Sequence, residues 1–165
     1  MKFQASKAEV RLAQIPHNRF IFGLLLFNLL LPSAIIGLRI GLIGVLIPLS
    51  CTLALIGHIY QRSRKTTTWF VDSHWRLSFK HGKWLMLAYG ASALLFLVAW
   101  LASLMAHGSS MESIMMKAMS IVALVPAFLG VLISAVMEGI ALSHALKREV
   151  PDGIVKKFPP PAALT

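Results

Sequence analysis

One carboxylate, Glu138, stands alone in an apolar stretch whose other residues from Ile121 to Ser143 carry no ionisable group. An acid placed in hydrocarbon is costly, and it is a functional candidate by default. Two chemistries are open to it: carrying a proton or ion, or being neutralised by a cation. Counted back from Lys147, Glu138 lies about two turns inside the end of its segment. Arg76 and Lys80 precede a neighbouring apolar run at the same layer. A structural pair of Glu138 with Arg76 or Lys80 is therefore the expected state, with proton handling as the alternative. Asn28 is the other polar group deep in an apolar run, and its amide calls for a partner on a second helix.

Four histidines, His58, His74, His81 and His144, fall at the basic ends of their segments. Neutral imidazoles ligate metals and haem, which makes His58, His74 and His144 the ligand candidates. No His-x-x-x-His spacing and no CxxCH accompany them, so interfacial histidines bonded to water or headgroups are expected, and no cofactor. Met111, Met115, Met116 and Met119 read as adaptable packing. Cys51 is the only cysteine, which rules out a disulfide within the chain. Six scattered acids assemble no paired carboxylates, and enzyme activity is not expected.

The elements that position these groups are apolar helices. Of the 165 residues, 57% are hydrophobic and 13% charged, and the mean hydropathy is +0.74, against about 25% charged in soluble domains. This composition predicts an all-α integral membrane protein forming one domain over 1–165. The apolar run Phe20 to Tyr60 spans 41 residues, twice what one crossing needs. It must turn back, most readily at Gly37-Leu-Arg-Ile-Gly41. The pattern thus predicts an antiparallel bundle of four transmembrane helices at about 19–37, 42–61, 84–106 and 113–147, with Ser110 capping the last. Residues 1–18 read as a short surface helix or a basic tail, ended in either case by Pro16. Within the loop 62–83, Phe70, Val71, His74 and Leu77 share one helical face, which predicts an interfacial helix over 68–80. The tail 148–165 is proline-rich and expected to be poorly ordered at its end.

Charge sets the threading. The net charge is +10, and all sixteen Lys and Arg residues except Arg39 and Lys117 fall on one side of this topology. The positive-inside rule then places both termini and the 62–83 loop in the cytoplasm of a cell with an inner membrane. Arg62, Arg64, Lys65, Lys83, Trp69 and Trp84 are the expected contacts to anionic headgroups. The charge flanks apolar runs and carries no recognition module, which argues against nucleic acid.

Some residues also resemble a known family. Leu53 to Arg62 (LALIGHIYQR), Ser73-His-Trp-Arg76 opening a span, and Gly139 and Pro151 around the last helix end look like a family of small bacterial multi-pass proteins of unknown function. That family is distantly related to the inner-envelope translocon component of plastids. The resemblance covers about residues 50–152. It departs at Ser78-Phe-Lys-His81, where the family shows Gln-x-Arg-Thr, and in the additional N-terminal helix. It implies a helical membrane fold of four helices or fewer, and no activity. A non-enzymatic accessory or scaffold subunit that binds another membrane protein is the expected function. A small oligomeric transporter or channel using Glu138 and a cytochrome-like redox subunit are the alternatives.

Overall fold

Helix formation starts at residue 7, well before the apolar run. Ser6-Lys-Ala-Glu9 is a capping box: the Glu9 amide donates to Ser6 Oγ at 3.2 Å, and the Ser6 amide donates to Glu9 Oε2 at 2.8 Å. The computed structural model describes residues 1–40, 44, 46–105 and 112–161. In it α1, Lys7–Leu25, passes straight through Pro16. The expected break there does not occur. Pro16 lies on the face of α1 that is buried, with Ala13, His17, Phe20 and Leu24, and packing of that face holds the helix across the one missing amide.

Beyond α1 the helix widens into a π turn, Leu26–Leu30, in which the Leu31 amide reaches back to the Leu26 carbonyl. It resumes as α2, Leu31–Gly37, with Pro32 in its first turn. A π turn just before a proline supplies the extra residue that a missing amide calls for. The turn after α2 begins where the glycines predicted it. Its left-handed residue, however, is Arg39 (φ 53°), and the Ile40 amide closes onto the Ile35 carbonyl. Gly41 lies outside the described residues.

The chain returns as α3, Leu46–Ser63. It runs antiparallel to the first helix, as two pairings show. Asn28 meets Thr52 through hydrogen bonds of 3.3 and 3.4 Å. Five residues earlier, Gly23 gives Leu55 room that a Cβ would take away. Asn28 thus finds an interhelical partner, as an amide in an apolar run must.

Asp72 fixes the start of the next helix by accepting from the Thr67 amide (3.0 and 3.1 Å) and from the Thr67 hydroxyl (2.6 Å). From there α4 runs unbroken from Trp69 to Met105, about 55 Å at the helical rise. The interfacial helix expected over 68–80 is not a separate element. Its residues are the first turns of α4, with Phe70, Val71, His74 and Leu77 buried and Arg76 and Lys80 exposed. Gly82 carries the helix onward against Phe20 and Ile56, where an added Cβ would come within 3.3–3.4 Å of both.

Helix α5, Glu112–Leu146, contains Pro126. The cap expected from Ser110, in the turn 107–112, lies outside the described residues. At the far end, Arg148 adopts a left-handed φ of 57°. The Glu149 amide closes onto the His144 carbonyl at 2.8 Å, and the Arg148 amide onto Ala145 at 3.2 Å. This is a Schellman cap without its usual glycine. A left-handed conformation costs an L-residue about 1–2 kcal/mol. Arg148→Gly is therefore expected to stabilise the protein by about 0.5–1 kcal/mol, the gain being reduced by glycine's greater chain entropy. Thermal unfolding in detergent followed by circular dichroism measures it.

Helices joined by short turns make up the described chain, which has no strand, with α6, Asp152–Val155, closing the order. Among the described residues three helices are long and apolar enough to cross a membrane: Lys7–Gly37, Trp69–Leu104 and Met116–Leu146. Helix α3, at 18 residues, is about 27 Å long. Two compact units divide the chain, Met1–Gly82 with Ala135–Thr165, and Lys83–Ser134.

The second unit is a helical hairpin. The Ala127 amide, next to Pro126, donates to Ser92 Oγ at 2.8 Å, a side chain from the opposite helix serving backbone disturbed by proline. Gly130 faces the Ala88 methyl so closely that a Cβ would collide with it. In a free helix, Gly130→Ala would gain up to about 1 kcal/mol. Here neither methyl can rotate away, and overpacking costs about 1–3 kcal/mol. Net destabilisation of about 1 kcal/mol is expected, measured in the same unfolding assay.

Candidate functional site

Glu138, on α5, is completely buried, and both of its oxygens are occupied. Oε2 accepts from His17 Nδ1 at 2.6 Å and Oε1 from His81 Nδ1 at 2.8 Å. A carboxylate can only accept, so each histidine presents Nδ1–H to it. That leaves His17 Nε2 facing His74 Nδ1 at 2.9 Å. With one proton per ring, His74 donates here and His17 accepts. His74 Nε2 and the hydroxyl of Ser78, a turn along α4, are both buried without a hydrogen-bond partner.

Three helices therefore meet in one hydrogen-bonded chain, His74–His17–Glu138–His81. Helix α1 contributes His17, which is as fully buried as Glu138. Helix α4 contributes His74 and His81, seven residues and so about two turns apart on one face. All four groups belong to the first compact unit. Each imidazole is oriented through Nδ1 and offers Nε2 onward, an arrangement that can hold a proton and pass it from ring to ring.

The partners expected for Glu138 are elsewhere. Arg76 is exposed, its guanidinium 3.6 Å from the centroid of the Phe158 ring, and Lys80 is exposed. Long basic side chains on a helix flank reach water or headgroups at low cost, whereas a buried carboxylate is matched by the rings already packed beside it. His17 was the residue sequence reasoning passed over. Its signal was the Ser6–Glu9 capping box, which starts α1 early enough to put His17 on the buried stripe with Ala13, Phe20 and Leu24.

The three ligand candidates have three different partners. His74 is bonded to His17, His58 Nε2 lies 2.8 Å from an Arg19 guanidinium nitrogen, and His144 Nδ1 lies 3.1 Å from Glu149 Oε2. Among the described residues no three His, Cys, Asp or Glu side chains are disposed to hold a metal. The His144 hydrogen bond holds the half-buried Glu149 carboxyl below the usual carboxylate range. Its contribution is present above that range and lost as pH falls through the lowered value.

Beside the cluster the chain ends are knitted together. The Phe3 amide donates to the Arg148 carbonyl at 2.9 Å, and the Val150 amide to Met1 at 3.0 Å. Trp69 is buried here rather than at the headgroups. Its Nε1–H donates to the Phe158 carbonyl at 3.1 Å, and its ring packs on Phe3 and Phe158. With Phe70, Leu77, Ala141, Ala145, Val150 and Ile154 it forms one apolar core. The tail is thus packed through Phe158, and its end, 162–165, where poor order is expected, lies outside the described residues. Among the other expected headgroup contacts, Trp84, Lys65, Lys83 and Arg64 are exposed, Arg64 lying over Tyr60, while Arg62 is half-buried over Trp75.

No protein-family model, curated protein or solved structure matches this sequence.

Proposed function

We propose that this chain is a non-enzymatic, four-span inner-membrane protein with cytoplasmic termini that serves as an accessory or scaffold subunit for another membrane protein. The observation that carries this reading is the packed layer formed by both chain ends and the first turns of α4. Ordering two termini against one another costs chain entropy that free tails keep, and it yields a rigid, basic-rimmed platform of the kind a docking partner needs. The Glu138 cluster supports the same reading by tying α1 and α4 to α5 beside that platform. The resemblance over residues 50–152 brings no activity, and the reading stands on this geometry.

A second reading, a small proton-coupled transporter or channel, is favoured by the continuous chain His74–His17–Glu138–His81. Affinity capture of the full-length protein from membranes in mild detergent separates the two. A reproducible stoichiometric membrane-protein partner, lost when Trp69 is replaced by Ala, supports the scaffold. A pure homo-oligomer, whose Glu138→Gln variant assembles normally but loses proton flux in proteoliposomes, overturns the scaffold in favour of transport.

A further inference from the structure

Close approach of α1 and α3 has a chemical consequence one turn away. Because Gly23 lacks a side chain, Leu55 of α3 can lie against α1. In the antiparallel register this brings Arg19, four residues before Gly23, to His58, three residues after Leu55. The Arg19 guanidinium nitrogen lies 2.8 Å from His58 Nε2. His58 and Arg62 are four residues apart, on one face of α3. Both border the Trp75 ring, His58 edge-on with centroids 6.2 Å apart and the Arg62 guanidinium 5.5 Å from the ring centroid. Trp75 itself is buried and so fixed in place.

Arg62 and His58 thus flank one anchored indole, Arg19 is held against His58, and the acids with described side chains are engaged elsewhere. Glu9 caps α1, Asp72 holds Thr67, Glu138 holds His17 and His81, Glu149 meets His144, and Asp152 meets the N-terminal amine. The Arg19–His58 contact is favourable with His58 neutral and accepting through Nε2, which leaves the positive charge of Arg19 uncompensated. Arg62, held over the indole, keeps its planar set of N–H donors available at the ring's rim. Arg19 and His58 are exposed and Arg62 is half-buried, Arg19 where the apolar run of α1 begins and His58 and Arg62 where that of α3 ends, the level at which headgroups lie.

We propose that Arg19, His58 and Arg62, with His58 and Arg62 held beside Trp75 and Arg19 joined to them through His58, form a specific binding site for a phosphate group, carried by an anionic phospholipid headgroup or free in solution. Guanidinium groups match phosphate oxygens in pairs, and the imidazole adds a neutral or cationic neighbour to the same anion. The site differs from a diffuse basic surface in that its cations are placed by helix packing, not by flexible loops.

Native mass spectrometry of the full-length protein in a neutral detergent tests this, with phosphatidylglycerol, phosphatidylcholine and inorganic phosphate as probes. Phosphatidylglycerol is expected to bind more tightly than phosphatidylcholine. Arg19→Gln and Arg62→Gln should each weaken it about fivefold, and together about 25-fold. Arg11→Gln and Arg39→Gln, whose side chains lie outside the cluster, should leave it within about twofold. Circular dichroism melting confirms that each variant folds, and Arg62→Lys provides a variant that keeps the charge and should lose less than Arg62→Gln. If inorganic phosphate binds with the same dependence on Arg19 and Arg62, the site takes the free anion. If only the lipid does, the source is the headgroup. Equal losses at Arg11 or Arg39, or no loss at Arg19 and Arg62 in folded protein, overturns the site.

Discussion

Glu138→Leu is expected to destabilise the protein by about 3–5 kcal/mol, whereas Glu138→Gln should cost only about 1–2 kcal/mol. The difference follows from which protons can move. Leucine leaves His17 and His81 each with a buried Nδ1–H and no acceptor, the situation in which breaking a buried network is most costly. Glutamine still accepts one of these N–H groups through its carbonyl oxygen. Its amide must then face an acceptor nitrogen, so one histidine has to move its proton from Nδ1 to Nε2. For His81 that shift is local, because His81 sits at the edge of the cluster with 5% of its surface exposed. For His17 it would require His74 to shift as well, since His17 Nε2 faces His74 Nδ1 at 2.9 Å. The glutamine is therefore expected to give its amide to His81 and its oxygen to His17. Replacing Glu138, His17 and His81 together by leucine should recover part of the loss, because an apolar core no longer carries unpaired polar groups. Chemical unfolding in micelles, read by circular dichroism, measures all three. Equal stability of the leucine and glutamine variants would show that the hydrogen bonds to Glu138 contribute nothing.

The same cluster shows what was legible in the sequence. Glu138 stood out because one carboxylate in an apolar helix is visible without any knowledge of contacts. Helix α5 was legible for a related reason: its run of apolar residues is long and uniform, and the expected 113–147 nearly coincides with the observed Glu112–Leu146. The partner of Glu138 was not legible, because the choice between the basic side chains and the histidines interleaved with them depends on packing. Charge and a shared layer favour Arg76 and Lys80, yet α4 turns both outward and presents His74 and His81 inward. The expected spans from 19 and from 84 begin where charged residues give way to apolar ones, whereas α1 and α4 begin at Lys7 and Trp69. Ser6–Glu9 and Thr67–Asp72 cap helices that cross from polar into apolar composition without interruption. A hydropathy pattern locates the apolar part of such a helix and not its first turn.

Trp69→Ala should cost about 3–5 kcal/mol and release both ends of the chain together. Truncating a buried aromatic loses this much when the site cannot collapse, and three features make collapse difficult here. Phe3 packs against one side of the indole with ring centroids 4.7 Å apart, and Phe158 stacks on it at 6.2 Å with an interplanar angle of 14°. The Trp69 Nε1–H holds the Phe158 carbonyl at 3.1 Å. Arg76 closes over Phe158 from α4 itself, 3.6 Å from the ring centroid. Removing the indole leaves Phe3 and Phe158 with no common surface, so the N-terminal segment and the tail lose their joint anchor while the Ser6–Glu9 cap keeps α1 wound from Lys7 onward. Limited trypsin digestion should then cut rapidly at Lys2, Lys156 and Lys157 in the variant and slowly in the wild type. Trp69→Phe separates packing from hydrogen bonding. It keeps most of the contact area and loses only the bond to Phe158, so a loss of about 1–2 kcal/mol and intermediate protease resistance are expected. Unchanged digestion of Trp69→Ala at all three lysines would mean that the chain ends are held by their backbone hydrogen bonds to one another, and that the aromatic core is not what orders the platform.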